Sequence, residues 1–295
     1  MPEDVVVGNW GRWGASDEAG SLNFIDPSVV VAASTLVRDG RVVSLSQDLG
    51  PQTPTAPHRS SPSRFMDRDA GDYALGARSP GGFRFAEDSV LFPSHSGTHI
   101  DALAHAWSGD SLYNGHDAGF TRSTRGAQRC GAEKLKPIVT RGVFLDLASI
   151  CGGEPKIGRA FSADDLAKAC DAVNVVIGAG DAVCIRTGWW PHAGRDPELF
   201  FSGEPGIDSS AAQWLADREV AVVGADNYAV ECLPAPSGDT FPVHLILLWK
   251  YGVPLIEGLD LEELATAGRS EFLFVAAPLR LVGSTGSPLH PIAVL

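Results

Sequence analysis

Three histidines and one aspartate fall within eleven residues of the stretch SVLFPSHSGTHIDALAHAW, residues 89–107. They are His95, His99, Asp101 and His105. Because Gly97 follows shortly after Pro93, a regular helix is disfavoured, and we predict a strand that ends near Phe92 and then a curling loop. In an extended segment, Asp101 points the same way as His99, two residues before it. This segment therefore requires a fold in which a strand end meets a tight turn.

These side chains are typical of a metal site. Imidazole nitrogens and carboxylate oxygens are the ligands that suit Zn²⁺, Mn²⁺ and related divalent ions. Gly97 argues against a helical HExxH zinc motif. The alternative is that these are ordinary surface or core histidines, since the chain has eight in 295 residues. Three of the eight within eleven residues, interleaved with Gly and Asp, favour a divalent-metal site.

Short runs rich in β-branched and aromatic residues alternate with helix-like stretches. Strands are predicted at Val42–Ser46, Val143–Leu147, Ala182–Thr187, Val220–Gly224, Phe272–Val282 and over VPLIEGL. Helices are predicted after Ser162, after Asp208, from Thr240 to a C-cap at Gly252, and over LEELATAG, which Gly268 closes. No GxGxxG or GxxxxGK[ST] motif follows a strand. We predict a single mixed α/β domain over residues 1–295.

The segment from Gly50 to Gly82 is rich in Pro, Ser, Arg and Gly. It is long for a structureless loop, which predicts a lid, an arm or a subunit contact. A solvated insertion without function is the alternative.

Composition excludes several classes of protein. A net charge of −13 and a pI of about 5.0 oppose nucleic-acid binding and binding to an acidic membrane surface. The apolar run His244–Trp249 is too short to span a bilayer, and the opening MPEDVVVGNWGRWG lacks the pattern of a secretory signal. Five scattered cysteines without a CxxC pair favour reduced thiols and a cytoplasmic location.

The string HSGTHIDALAH, residues 95–105, resembles the HxGTHxDxxxH signature of the cyclase-like metal-dependent hydrolase family, of the bacterial kynurenine formamidase and isatin hydrolase type. Further similar stretches cover nearly the whole chain, as in a longer member: residues 10–25, 224–231, 243–259 and 273–294. The resemblance implies a swivelling β/β/α fold, a mixed barrel-like sheet with peripheral helices. It also implies a homodimer or homotetramer, with the segment 50–82 as the candidate for crossing between subunits.

The resemblance also implies a ligand set. His95, His99 and Asp101 would hold a first metal, and His244 and Glu257 a second one that Asp101 bridges. One or two Zn²⁺ or Mn²⁺ ions per chain follow from it. The implied activity is hydrolysis of a small aromatic amide or lactam, similar to N-formylkynurenine or isatin, by metal-activated water.

His105 resembles the proton-transfer residue of the family, a role that contributes typically about 10²–10⁴-fold to a rate. Leu103 and Ala106 depart from the kynurenine formamidase pattern, which has Pro and Phe at these positions, and this weakens the transfer of that exact substrate. A metal-dependent cyclase or dehydratase is the alternative enzyme. A non-catalytic metabolite-binding protein is a third possibility, but it would have no need of His105.

Other side chains have open interpretations. Asp226 and Glu231 are either groups that orient the histidines or parts of an acidic surface. Five aromatic residues either wall a substrate pocket or belong to the core, namely Trp10, Trp13, Phe24, Trp189 and Trp190.

Overall fold

The computed structural model of the protein describes residues 7–152 and 155–295. Its strands are, in chain order, β1 Val42–Ser44, β2 Ser63–Arg68, β3 Glu87–Leu91, β4 His99–Asp101, β5 Thr121–Arg122, β6 Gly126–Ala127, β7 Ile138–Asp146, β8 Ala160–Phe161, β9 Ala182–Arg186, β10 Gly206–Ile207, β11 Val222–Ala225, β12 Leu255–Glu257, β13 Glu271–Ala276, β14 Gly286–Pro288 and β15 Ile292–Val294. The opening six residues, part of the segment in which no secretory signal is predicted, lie outside the described ranges.

Helices flank these strands. The α-helices are α1 Pro27–Ser34, α2 Ala70–Ala74, α3 Leu147–Ile150, α4 Ala163–Val173, α5 Pro191–Arg195, α6 Pro197–Phe200, α7 Ser209–Ala216, α8 Pro242–His244 and α9 Glu262–Ala267. A π-helix, Leu245–Tyr251, continues α8 directly. Short 3-10 helices lie at Gly20–Phe24, Pro80–Gly82, Tyr113–Gly115, Ala118–Phe120 and Ala132–Lys134. Among the residues described, none of the helices has both the length and the apolar character that crossing a membrane requires.

Nine strands form one curled mixed sheet in the order β1-β15-β13-β7-β9-β11-β12-β4-β14. The central strands β7, β9, β11 and β12 run parallel to their neighbours in this group. The flanking pairs are antiparallel. This mixed sheet with peripheral helices confirms the predicted fold class.

The core lies on both faces of the sheet, because successive side chains of a strand point to opposite faces. Val183 and Ile185 of β9 join one apolar cluster with residues of α4 and α7, whereas Ala182 and Cys184 join a second cluster with β13. Strand β9 is buried over its first four residues, as expected for a parallel strand covered on both faces. The sheet is therefore a rigid support for the side chains at its far edge.

Most predicted elements are present, and the two largest differences are at strand boundaries. The strand predicted at Phe272–Val282 ends at Ala276, and Pro278 follows soon after, where it lacks the N–H needed for a strand ladder. The strand predicted from Val143 begins five residues earlier, at Ile138, because residues 138–142 pair with β13. Both errors concern the residue at which strand pairing begins or stops. The neighbouring strands determine that residue.

The segment from Gly50 to Gly82 contains regular structure. Strand β2 pairs antiparallel with β3, and the helix α2 lies between them in sequence. We call residues 63–91 the arm. Every residue of β3 is exposed, and so are the apolar side chains of Phe65, Val90 and Leu91, at 60%, 60% and 68%. The strand predicted to end near Phe92 is confirmed as β3, which ends at Leu91. The alternation that marks a half-buried strand is absent from its partner β2, so the sequence pattern did not predict β2.

Candidate metal centre

Strand β4 places His99 and Asp101 between β12 and β14. Glu257 of β12 lies opposite His99, and Gly286 of β14 lies opposite Asp101. Ile100 packs into one of the apolar clusters, so its two polar neighbours face the other side of the strand. His99 Nε2 is 3.8 Å from Asp101 Oδ1, in keeping with their predicted common direction.

His95 lies in the turn that precedes β4, where Gly97 has a φ of +58°, in the left-handed region that glycine adopts most readily. Its Nδ1 is 2.8 Å from Asp101 Oδ1, and its Nε2 is 3.0 Å from Thr285 Oγ1. A Cβ atom on Gly286 would lie 2.6 Å from His95 Cε1, so glycine makes room for the imidazole. Sequence reasoning missed both Thr285 and Gly286, which have no motif of their own.

Two residues from the distant part of the chain complete the cluster. His244 Nε2 is 3.3 Å from Glu257 Oε1 and 3.7 Å from Asp101 Oδ2, and His99 Nε2 is 3.1 Å from Glu257 Oε2. Within two triplets the candidate ligand atoms lie within 4.8 Å of one another: His95, Asp101 and His105 form the first, and His99, Asp101 and Glu257 the second. All six predicted site residues are thus brought together. The assignment of each as a ligand stays a prediction.

Glu231 contacts the ring and the backbone of His244. Its carboxylate accepts hydrogen bonds from the backbone N–H groups of Val243 and His244, at 3.2 and 3.1 Å, and lies 2.6 Å from His244 Nδ1. The interpretation that Glu231 orients a histidine is confirmed. The helix predicted after Thr240 begins at Pro242, with Phe241 in the cap position in a left-handed conformation and without a side-chain cap.

Asp226 has a different role. It is fully buried, and its Oδ1 accepts hydrogen bonds from the backbone N–H and hydroxyl of Thr187 at 2.7 and 2.6 Å. Its Oδ2 accepts one from the Gly188 N–H at 2.9 Å. Burial raises the pKa of Asp226 to about 6, and these hydrogen bonds oppose the rise. Both interpretations of Asp226 from sequence are wrong, since it ties two loops together instead.

Two buried polar atoms of the cluster have no hydrogen-bond partner within residues 7–152 and 155–295. They are Asp101 Oδ2 and His99 Nε2, the latter lying 3.1 Å from Glu257 Oε2 but outside hydrogen-bond geometry. Such atoms are rare in folded proteins, because leaving them unpaired costs about 1–3 kcal/mol each. An imidazole nitrogen and a carboxylate oxygen are ligand atoms that a divalent cation prefers. The residues present therefore fit a divalent metal ion.

The charges of the cluster point the same way. Burial raises the pKa of Asp101, but the positive charge that His105 carries when protonated and the hydrogen bond with His95 hold that pKa below its ordinary value. Burial lowers the pKa of His244, yet Glu231 and Glu257 raise it to about 10. In the metal-free protein, a proton on His244 thus balances part of the buried negative charge. A bound divalent cation can balance this negative charge in place of the proton.

His105 differs from the other histidines of the cluster in its exposure. Its side chain is 28% exposed, against 4% for His99 and 5% for His244. Its ring lies 4.1 Å from that of His95 between centroids, and its Nε2 is 3.9 Å from Asp101 Oδ2. Burial lowers the pKa of His105 to about 4, so the imidazole is neutral at neutral pH.

A cavity of about 330 Å³ opens beside the cluster. Its lining residues are His58, Arg59, His105, Ala106, Tyr228, Ala229, Phe241, His244 and Glu257. A narrower crevice on the side of His95 and His99 is lined by further aromatic rings, Trp190, Phe200 and Phe201, and shares Arg59 and Tyr228 with the cavity. The cluster thus meets two spaces with aromatic walls.

Trp190 is the member of the predicted aromatic set that lines the crevice. Trp10 packs edge-on against Trp249, and Trp13 packs against Phe24. Trp189 is buried beside His192. The remaining aromatic walls come from residues that the sequence analysis did not single out, because their neighbours in sequence show no distinctive spacing.

Known proteins resemble this chain over most of its length. The family model for Cyclase matches residues 43–232. An isatin hydrolase of Roseibium aggregatum is 27% identical over 222 residues, which cover 72% of this chain and 75% of that protein. A crystal structure described as a novel cyclase is 36% identical, with a TM-score of 0.91 and 98% of both chains covered. An isatin hydrolase bound to the product analogue thioisatinate shares the fold, at 23% identity and a TM-score of 0.65 over 92% of this chain and 99% of the other.

Proposed function

The chain belongs to the Cyclase family, and on that premise we propose that it is a metal-dependent hydrolase that cleaves the C–N bond of a small aromatic amide or lactam with water. One observation carries this proposal. The carboxylate of Asp101, whose Oδ2 has no hydrogen-bond partner among the described residues, lies beside His99 Nε2 in a cluster that opens next to His105 onto a cavity with aromatic walls. The isatin hydrolases among its relatives support the reaction class.

One or two Zn²⁺ or Mn²⁺ ions would be held by the five predicted ligands, His95, His99, Asp101, His244 and Glu257. When bound, such an ion supplies a Lewis acid that activates water and polarises a carbonyl. Thr285 and Glu231 fix the rings of His95 and His244, so each presents its other nitrogen to the buried carboxylates. This orientation is of the kind that sustains metal affinity.

His105 moves the proton in the proposed reaction. Its neutral imidazole accepts a proton from the attacking water as the new C–O bond forms, and it returns that proton to the leaving nitrogen as the C–N bond breaks. A pKa of about 4 keeps the ring unprotonated at neutral pH, and the weak basicity that this pKa implies makes the imidazolium a strong acid toward the leaving nitrogen. The exposure of His105 to the cavity brings it within reach of a substrate.

Labelled water distinguishes hydrolysis from cyclisation or dehydration. We expect the metal-loaded protein to convert N-formylkynurenine, isatin or a related amide, and each product molecule to gain one oxygen from H₂¹⁸O, measured by mass spectrometry. Protein stripped of metal by a chelator is the control and should give neither product nor label. Turnover of any such compound to a product without solvent oxygen would contradict hydrolysis and favour the cyclase or dehydratase.

We also propose that the chain works as a homodimer or homotetramer in which the arm contacts a second copy. A two-stranded ribbon is marginally stable alone in water, yet this one exposes Phe65 and Leu91 on one face. A symmetric contact between two copies would cover the same apolar face on both.

Light scattering tests this arrangement. The purified protein should have at least twice the 31.1 kDa chain mass at micromolar concentration, and Phe65→Glu with Leu91→Glu should reduce it to a folded monomer because charge cannot be buried there. Val176→Glu is the matched control, since Val176 is 82% exposed outside the arm. A monodisperse wild-type monomer would refute the proposal.

A further inference from the structure

Arg59 lies where the two spaces beside the cluster meet. It lines both the cavity beside His105 and the crevice beside His95 and His99. Of the residues that line these two spaces in the described part of the chain, Arg59 is the one arginine or lysine. A permanent positive charge therefore lines both of the spaces beside the cluster.

The guanidinium is held in place by two contacts. Its Nη1 donates a hydrogen bond of 2.6 Å to the backbone carbonyl of His95. Its central carbon lies 5.3 Å from the centre of the Tyr228 ring, a distance typical of a cation–π contact. A guanidinium has five N–H donors, and within residues 7–152 and 155–295 this is the hydrogen bond that the guanidinium of Arg59 makes to protein. Most of its donors remain available to a ligand.

Arg59 forms no salt bridge with a carboxylate of residues 7–152 and 155–295. The salt bridges of the described residues pair other arginines with acidic side chains, for example Arg141 with Asp181 and Arg186 with Glu262. Arg59 is half-buried and lacks such a partner among those residues. An arginine that is partly desolvated and has free donors in a fixed fork geometry favours a carboxylate, which it can bind with two parallel hydrogen bonds.

We propose that Arg59 recognises a carboxylate on the substrate, so that the enzyme acts on aromatic amides or lactams that carry an anionic group. The substrate's aromatic part would pack against Tyr228 and Phe241, and its carboxylate would lie against the guanidinium. This inference rests on the proposed function for the reaction, but the recognition of an anion by Arg59 is independent of turnover.

Binding of two non-reacting ligands of similar shape, benzoate and acetophenone, tests the proposal by isothermal titration calorimetry on the metal-loaded protein. Arg59→Gln should weaken benzoate binding about ten- to a hundredfold, because a charge-assisted pair is lost, and should leave acetophenone binding unchanged. Arg59→Lys should keep part of the preference for benzoate. Arg38→Gln, at an exposed arginine outside the arm, is the matched control and should change the affinity for neither ligand.

Each outcome decides the proposal. Equal benzoate affinity in the wild type and Arg59→Gln would overturn it, since the carboxylate would then be bound elsewhere, for example by the metal. Equal weakening of benzoate and acetophenone would also overturn it, because Arg59 would then only hold the loop at His95 in place. An Arg59-dependent preference for benzoate in a protein that hydrolyses no amide would refute the proposed reaction while supporting anion recognition.

Discussion

The double variant His99→Ala with Asp101→Ala is expected to lose its metal, from one or two Zn²⁺ or Mn²⁺ ions per chain to fewer than about a tenth of that, with activity falling below detection. The reason is that Asp101 belongs to both groups of candidate ligand atoms and His99 to one of them. Elemental analysis after dialysis gives the metal content. Unchanged metal in this variant would show that the cluster is not the site.

The matched control is His290→Ala with Asp88→Ala, which removes the same two residue types from exposed positions outside the cluster. Asp101→Asn is a second test, in case the double variant fails to fold, because it keeps the shape of the buried side chain. Circular dichroism reports on folding in each variant. Metal retained by the control and lost by folded Asp101→Asn would support the assignment.

Metal affinity should also rise with pH. The pKa of His244, raised to about 10, means that the metal-free protein carries a proton there at neutral pH, and a cation must displace it. As pH falls, protons compete more strongly and the affinity drops. Calorimetry in two buffers of different ionisation enthalpy would count the protons released on binding, and the release of none would contradict this exchange.

His105→Ala is expected to keep its metal and to lose about 10²–10⁴-fold in kcat, the usual contribution of a proton-transfer group. The structure leaves two roles to be separated, since His105 is also a member of one triplet of candidate ligands. Proton transfer predicts full metal content with a low kcat. Ligation predicts that metal and activity are lost together.

His58→Ala is the matched control for this variant, because His58 lines the same cavity without belonging to the cluster. It should retain kcat, although its KM can change. Added imidazole should restore part of the activity to His105→Ala if the missing group is a proton carrier. Unimpaired turnover of a metal-replete His105→Ala enzyme would remove His105 from the mechanism.

The sequence by itself determined the elements whose causes are local. The capping box of Ser162 and Asp165, the cap by Asp208, and the left-handed ends at Gly252 and Gly268 all form as predicted. Each depends on contacts within one turn of chain, so a short window of sequence contains the full cause. The motif from His95 to His105 is local in the same sense.

The tertiary structure decided which distant residues meet. Glu257 reaches His99 because β12 pairs with β4, and Thr285 reaches His95 through β14 and the turn before it. Resemblance to a family supplied Glu257, but nothing in the sequence indicated Thr285 or Arg59. Strand pairing depends on packing across the whole sheet. The sequence next to a strand therefore does not reveal which distant strand it pairs with. For that reason the contact of Thr285 with His95 and the position of Arg59 at the cavity are visible only in the folded chain.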